Sequence, residues 1–118
     1  MDSAKQVKII RPTITISASP NYTAGDCVGG IITLTGALAY SRPTILRSVV
    51  LTENDATAAQ TPDLSLLFFR AIPAGGTYTD NAAIVLSSAD VGNFIAAVRV
   101  AAADWYTPAT TSKSVVAK

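Results

Sequence analysis

The sequence contains no histidine, which removes the commonest general base, the commonest metal ligand and the usual partner of a Ser or Cys nucleophile. Cys27 is the sole cysteine, so an intrachain disulfide is excluded and a thiolate metal site has no second thiolate. It reads as an inert core or turn residue. Charge is scarce too: 14% of residues are charged, against about 25% in ordinary soluble domains. Nine Lys plus Arg against eight Asp plus Glu leave a net charge of +1, so no strong field gathers nucleic acid or an anionic membrane. No apolar run approaches the roughly 20 residues that span a bilayer. Met1 to Val7 has no apolar stretch behind Lys5 that would mark a secretory signal, so synthesis and retention in a cytosol are expected.

The remaining chemistry is thin. A carboxylate pair can hydrolyse a glycoside, but the acids Asp2, Asp26, Glu53, Asp55, Asp63, Asp80, Asp90 and Asp104 fall almost entirely in predicted turns, where Asp serves the backbone. Glu53 with Asp55, or Asp80 with Asn81, are the nearest candidates for calcium, and neither has EF-hand spacing. Gly29-Gly30 and Gly75-Gly76 precede no helix and carry no Lys-Ser or Lys-Thr, so they read as turn glycines rather than a phosphate cradle. The expectation is a chain that is not an enzyme, with no cofactor and no metal.

What is present is apolar: hydrophobic residues make up 49% of the 118. Much of that share is Ala, so two readings stand side by side. One is a neutral surface padded with Ala, Ser and Thr. The other is a surface largely covered by neighbours in an assembly. The length suits one domain with one core.

Alternation of apolar and polar residues predicts strands over 13–18, 31–35, 44–52, 63–70, 82–86, 94–102 and 112–117. Ile14 and Ile16 share one face of the first, and Thr13 and Thr15 the other. In the fourth, Leu64, Leu66 and Phe68 share a face while Leu67 and Phe69 occupy the opposite one. Both faces being apolar, this strand is expected at the centre of a sheet, covered twice. Ser87 to Asn93 pairs a capping residue with a following acid and a glycine, which suits one helical turn. Pro12 cannot donate a ladder bond, so residues 1–11 read as an extended N-terminal arm and 12–118 as a single domain. Short strands between turn signals, with no sustained helical period, define an all-β chain: an antiparallel β-sandwich or jelly-roll-like fold.

Two segments carry further signals. Gly25 permits a positive φ, Asp26 can accept from nearby amides, and Gly29-Gly30 allows a bulge or close approach at the start of a strand. Trp105-Tyr106 precedes Thr107-Pro108, and the pair reads either as core or as an interface anchor.

The run Tyr22-Thr23-Ala24-Gly25-Asp26-Cys27-Val28-Gly29-Gly30 is followed in order by Leu66-Leu67-Phe68-Phe69, Thr79-Asp80-Asn81-Ala82-Ala83, Leu86-Ser87-Ser88-Ala89-Asp90 and Asp104-Trp105. Over residues 8–106 this pattern resembles small structural proteins of tailed bacteriophages, encoded near the major capsid protein. Longer members continue past the Trp with further strand segments, whereas here only residues 106–118 follow.

The resemblance implies a virion protein: a capsid decoration or cement protein on the outer surface of the head, synthesised in the host bacterial cytoplasm. Its implied partner is the major capsid protein; a dimer or trimer with copies of itself is expected alongside, with no direct nucleic acid and no membrane. The expected contact residues are Lys5, Lys8 and Arg11 on the basic arm, Leu67 and Phe69 on the outer face of the fourth strand, and Trp105 with Tyr106. An arm of this kind adds a strand to a neighbour's sheet edge. A tail or head-tail connector subunit is the alternative in the same setting. A carbohydrate-binding β-sandwich module is the alternative of another class, and it requires Trp105, Tyr106, Tyr78 and Tyr40 on one exposed platform.

Overall fold

A computed structural model describes residues 7–17, 21–37, 43–53, 60–108 and 114–118. The chain is mainly β. Its elements in order are β1 (Val50–Glu53), β2 (Leu64–Phe69), the single helical turn α1 (Ser88–Val91), β3 (Phe94–Val100), a 3-10 turn (Ala102–Asp104) and β4 (Ser114–Ala117). They form two small antiparallel sheets, β1 with β4 and β2 with β3. Two compact units divide the chain: Met1–Thr44 with Ala71–Asn93, and Ile45–Arg70 with Phe94–Lys118.

Both sheets belong to the second unit. The alternation read from the sequence places Leu64, Leu66 and Phe68 opposite Val100, Val98 and Ala96, so one face of this sheet is apolar on both strands. Its buried end is Val100, at 1% exposure. The register shifts at Phe68/Phe69, where Phe69 pairs with Phe94 and Ile95 is skipped, as a bulge requires. The shift brings the Phe69 and Phe94 rings edge to face, 5.8 Å apart, an arrangement worth about 0.5–1.5 kcal/mol beyond its area.

In the other sheet Leu51 opposes Val116, and paired backbone bonds between Val49 and Lys118, 2.7 and 2.8 Å, extend the ladder by one residue pair. β4 alternates with period two, Ser114 and Val116 buried, Val115 and Ala117 exposed. Ser114, fully buried, satisfies its hydroxyl against Thr107 Oγ1 at 2.9 Å. On its other edge β4 is bridged to Tyr106 through Val115, by backbone bonds of 2.8 and 2.9 Å.

The first unit is held differently. Residues 25–27 pair with 80–84 through single bridges and isolated backbone bonds, among them Cys27 N to Ala82 O and Asn81 N to Cys27 O, both 2.8 Å. Thr77 and Val85 exchange bonds of 2.8 and 3.1 Å. The helical turn matches its capping signal: Ser87 Oγ accepts from Asp90 N at 3.1 Å, and Gly92 closes the turn.

Several expectations are corrected. β2 is not central: among the described residues it pairs with β3 alone, and both its faces are half-buried. The run 44–52 is strand only from Val50, and Ile45 is 85% exposed. Residues 82–86 make bridges rather than a ladder. The runs 13–17 and 31–34 belong to no strand, because alternation prepares a side-chain pattern but a strand exists only where a neighbouring backbone supplies the ladder. Residue 18, the end of the first predicted strand, lies outside the described residues.

Candidate interaction surface

Two aspartates organise the first unit. Asp80 accepts at Oδ1 from the Tyr22 hydroxyl at 2.6 Å and from Gly29 N at 2.7 Å, and at Oδ2 from Ser17 N at 2.8 Å. Both of its oxygens are thereby engaged by the chain's own donors. The Tyr22 bond first, and the Gly29 amide next, hold its carboxyl below the ordinary range. Asp90 is buried and accepts from Ala74 N and Gly75 N, each at 3.0 Å, and from the Tyr78 hydroxyl. The Tyr78 bond is the chief cause that lowers its carboxyl to about 2. Withdrawal from water, reinforced by these same bonds, raises both tyrosines above their ordinary value of 10.0.

These hubs shape the glycine-rich turns around them. Asp26 accepts from Thr23 N at 2.7 Å and Thr23 Oγ1 at 3.0 Å, closing the turn in which Gly25 adopts φ +93. Gly29 and Gly30 follow at φ +80 and +70, and a Cβ on Gly30 would stand 3.3 Å from the Tyr78 carbonyl oxygen. The Cys27 thiol donates to that same carbonyl at 3.6 Å. Burial raises the thiol's pKa, which keeps it protonated and a poor nucleophile near neutrality.

The expected contact residues are divided between the units. Lys5 lies outside the described residues. Lys8 and Arg11, both exposed, line an open groove of about 430 Å³ whose other wall is residues 31–35, and Lys8 Nζ reaches the Gly36 carbonyl at 3.3 Å. In the second unit Leu67 opposes Ala97, and Phe69 is engaged with Phe94. Trp105 and Tyr106 separate by alternation. Trp105 is half-buried, its Nε1 donating to the Pro62 carbonyl at 2.8 Å, while Tyr106 is 66% exposed. Trp105→Phe should therefore cost about 1 kcal/mol, the net worth of one hydrogen bond, seen as a thermal midpoint lower by roughly 4–8 °C. Tyr106→Ala should leave the midpoint nearly unchanged; equal losses from the two substitutions would refute this division.

Of the four aromatic residues a sugar platform requires, Tyr78 is bonded to Asp90 in the first unit, Trp105 and Tyr106 belong to the second, and Tyr40 lies outside the described residues. Among the described residues no three His, Cys, Asp or Glu side chains gather as a metal-binding set, and no helix is long and apolar enough to cross a membrane.

The most conspicuous surface property is apolar exposure. Val7, Ile9, Ile16, Ile45, Val50, Ile72 and Ile95 are each more than half exposed. The buried hydrophobic residues among those described are Val100 and Val116 alone. No family model, curated protein or solved structure matches this chain.

Proposed function

We propose that this chain is a structural subunit of a virion, a decoration or cement protein that binds the outer surface of a tailed-phage head and stabilises the shell. The observation that carries the reading is the imbalance between exposed and buried apolar side chains. An Ile or Val that stays more than half exposed in the isolated chain has about 1 kcal/mol still to contribute when a neighbour covers it. A surface poor in charge offers little to oppose that covering. The low charge, read from the sequence in two ways, fits better with a chain whose surface is covered by neighbours. The order of motifs over residues 8–106 supplies the virion setting.

In this reading binding energy replaces chemistry: a protein that binds only the assembled shell stabilises it by mass action. The major capsid protein is the principal partner, with self-association alongside, and the capsid surface is the location. The finer architecture that suits it is a sandwich in which the two sheets of the second unit stack over Val100 and Val116.

The test is co-sedimentation of the purified protein with expanded shells lacking it and, separately, with isolated tails. Saturable binding to shells at fixed stoichiometry is expected. Binding to tails alone selects the connector subunit, and binding to neither sinks the virion reading.

A further inference from the structure

The groove in the first unit has walls of an unusual kind. Both are chain outside any helix or strand: residues 8–13 on one side and 31–35 on the other. Among the described residues, the backbone groups of Ile9 to Ile16 and of Ile31 to Thr33 make no hydrogen bond within the chain. Extended backbone with open donors and acceptors is what a sheet edge presents to an incoming strand. Pro12 interrupts one wall as a donor but not as an acceptor.

The side chains around these walls suit a strand as well. Ile9 and Ile31 are 75% and 45% exposed, whereas Ile10 and Ile32 are half-buried. Successive residues of an added strand would therefore meet an apolar flank on one side and open water on the other. The lining also has a sign: its charged members, Lys8 and Arg11, are both cations, and it contains no acid. That disfavours the basic N-terminal arm of a second copy and favours a segment bearing carboxylates.

We infer that the groove between residues 8–13 and 31–35 receives an extended, carboxylate-bearing segment of a partner protein, which adds to the open backbone as a strand. The inference rests on the reading of this chain as an assembly subunit and names the chemistry of what it grips. The partner strand alternates β-branched or other apolar residues with Asp or Glu. Its backbone completes the hydrogen bonds left open on the walls, and its carboxylates face Lys8 and Arg11.

The experiment is selection of binders to the full-length protein from a random nonapeptide library, followed by titration of synthetic copies of the selected peptides. Selected peptides should be enriched in Asp and Glu alternating with Val, Ile or Thr. Their binding should shift the amide resonances of Ile9 to Arg11 and Ile31 to Thr33. N-methylation of alternate peptide amides, which removes ladder donors, should weaken binding about tenfold or more. The double variant Lys8→Glu with Arg11→Glu, exposed and therefore expected to fold, should lose the acidic peptides by a similar factor. No binders above background, binders without acidic enrichment, shifts elsewhere, or indifference to the charge reversal would each overturn the inference. If shells bind while peptides do not, the groove fails and the virion reading survives; if peptides bind while neither shells nor tails do, the reverse holds.

Discussion

Gly76→Ala should yield little or no folded protein, while Gly25→Ala at the other turn should fold with a modest loss. The difference lies in what a Cβ would meet. At Gly76 it would overlap the Val85 carbonyl oxygen and come within 2.9 Å of the Val85 carbonyl carbon and of the Tyr78 hydroxyl. Val85 cannot withdraw, because its carbonyl accepts from Thr77 N and its amide donates to Thr77 O. Overpacking against backbone that cannot move costs about 3 kcal/mol or more, a large fraction of a marginal total stability. Gly25 has nothing within 4 Å of its would-be Cβ, so an alanine there bears only the strain of φ +93, about 1–2 kcal/mol. Thermal melts of the two variants measure the contrast. A well-folded Gly76→Ala protein with an unchanged midpoint would mean that the 77–85 pairing is not part of the fold.

Asp90→Asn should lower the thermal midpoint by roughly 10 °C and flatten the acid limb of the stability profile. The amide keeps the shape but replaces an ionised acceptor with one acceptor and one donor, so the amides of Ala74 and Gly75 and the Tyr78 hydroxyl can no longer all be satisfied. The sign of the pH effect follows from the lowered carboxyl. In the folded chain Asp90 titrates at about 2, against an ordinary 3.8, so between those values the unfolded chain binds more protons. Its contribution is complete above about pH 4 and is lost as pH falls toward 2. Asp80 and Asp104 are lowered as well, by the Tyr22 hydroxyl and by Lys118 respectively, and add to the same limb.

At the other end, Tyr22 and Tyr78 are raised above 10.0. Their contribution is full below about pH 10 and is lost as pH climbs through the raised values. With no histidine in the chain, the midpoint should be flat from about pH 5 to 8. A midpoint that changes steeply inside that window, or an acid limb that persists unchanged in Asp90→Asn, would contradict the role given to the hub.

Where the sequence was legible, the signals were local. Ser87 with Asp90 and Gly92 spells a helical turn within six residues, and the alternation in 64–68 and 94–100 anticipates the apolar face that pairs Leu64, Leu66 and Phe68 with Val100, Val98 and Ala96. The hubs were not legible as hubs. Asp80 reads as a turn acid and Asp90 as the acid of the helical turn, because the sequence does not name distant partners: Ser17 is 63 residues from Asp80 and Tyr22 is 58.

The runs 13–17 and 31–35 misled for a different reason. Thr13-Ile14-Thr15-Ile16 has every side-chain mark of a strand, but pairing depends on a second backbone, and none pairs with it among the described residues. The same limit hid half of the groove. Lys8 and Arg11 stood out as basic residues on an extended arm, whereas the opposing wall at Ile31 to Thr35 is a matter of tertiary placement.

The proposed virion role requires that the exposed, unpaired and apolar runs of this chain be covered in an assembly. Amide hydrogen exchange of the free protein, compared with the same protein bound to expanded shells, tests it most directly. Rapid exchange is expected at Ile9 to Ile16 and Ile31 to Thr33 in the free chain and marked protection there on the shell, with Val100 and Val116 slow in both. Protection confined to other segments, or none at saturating binding, would contradict it.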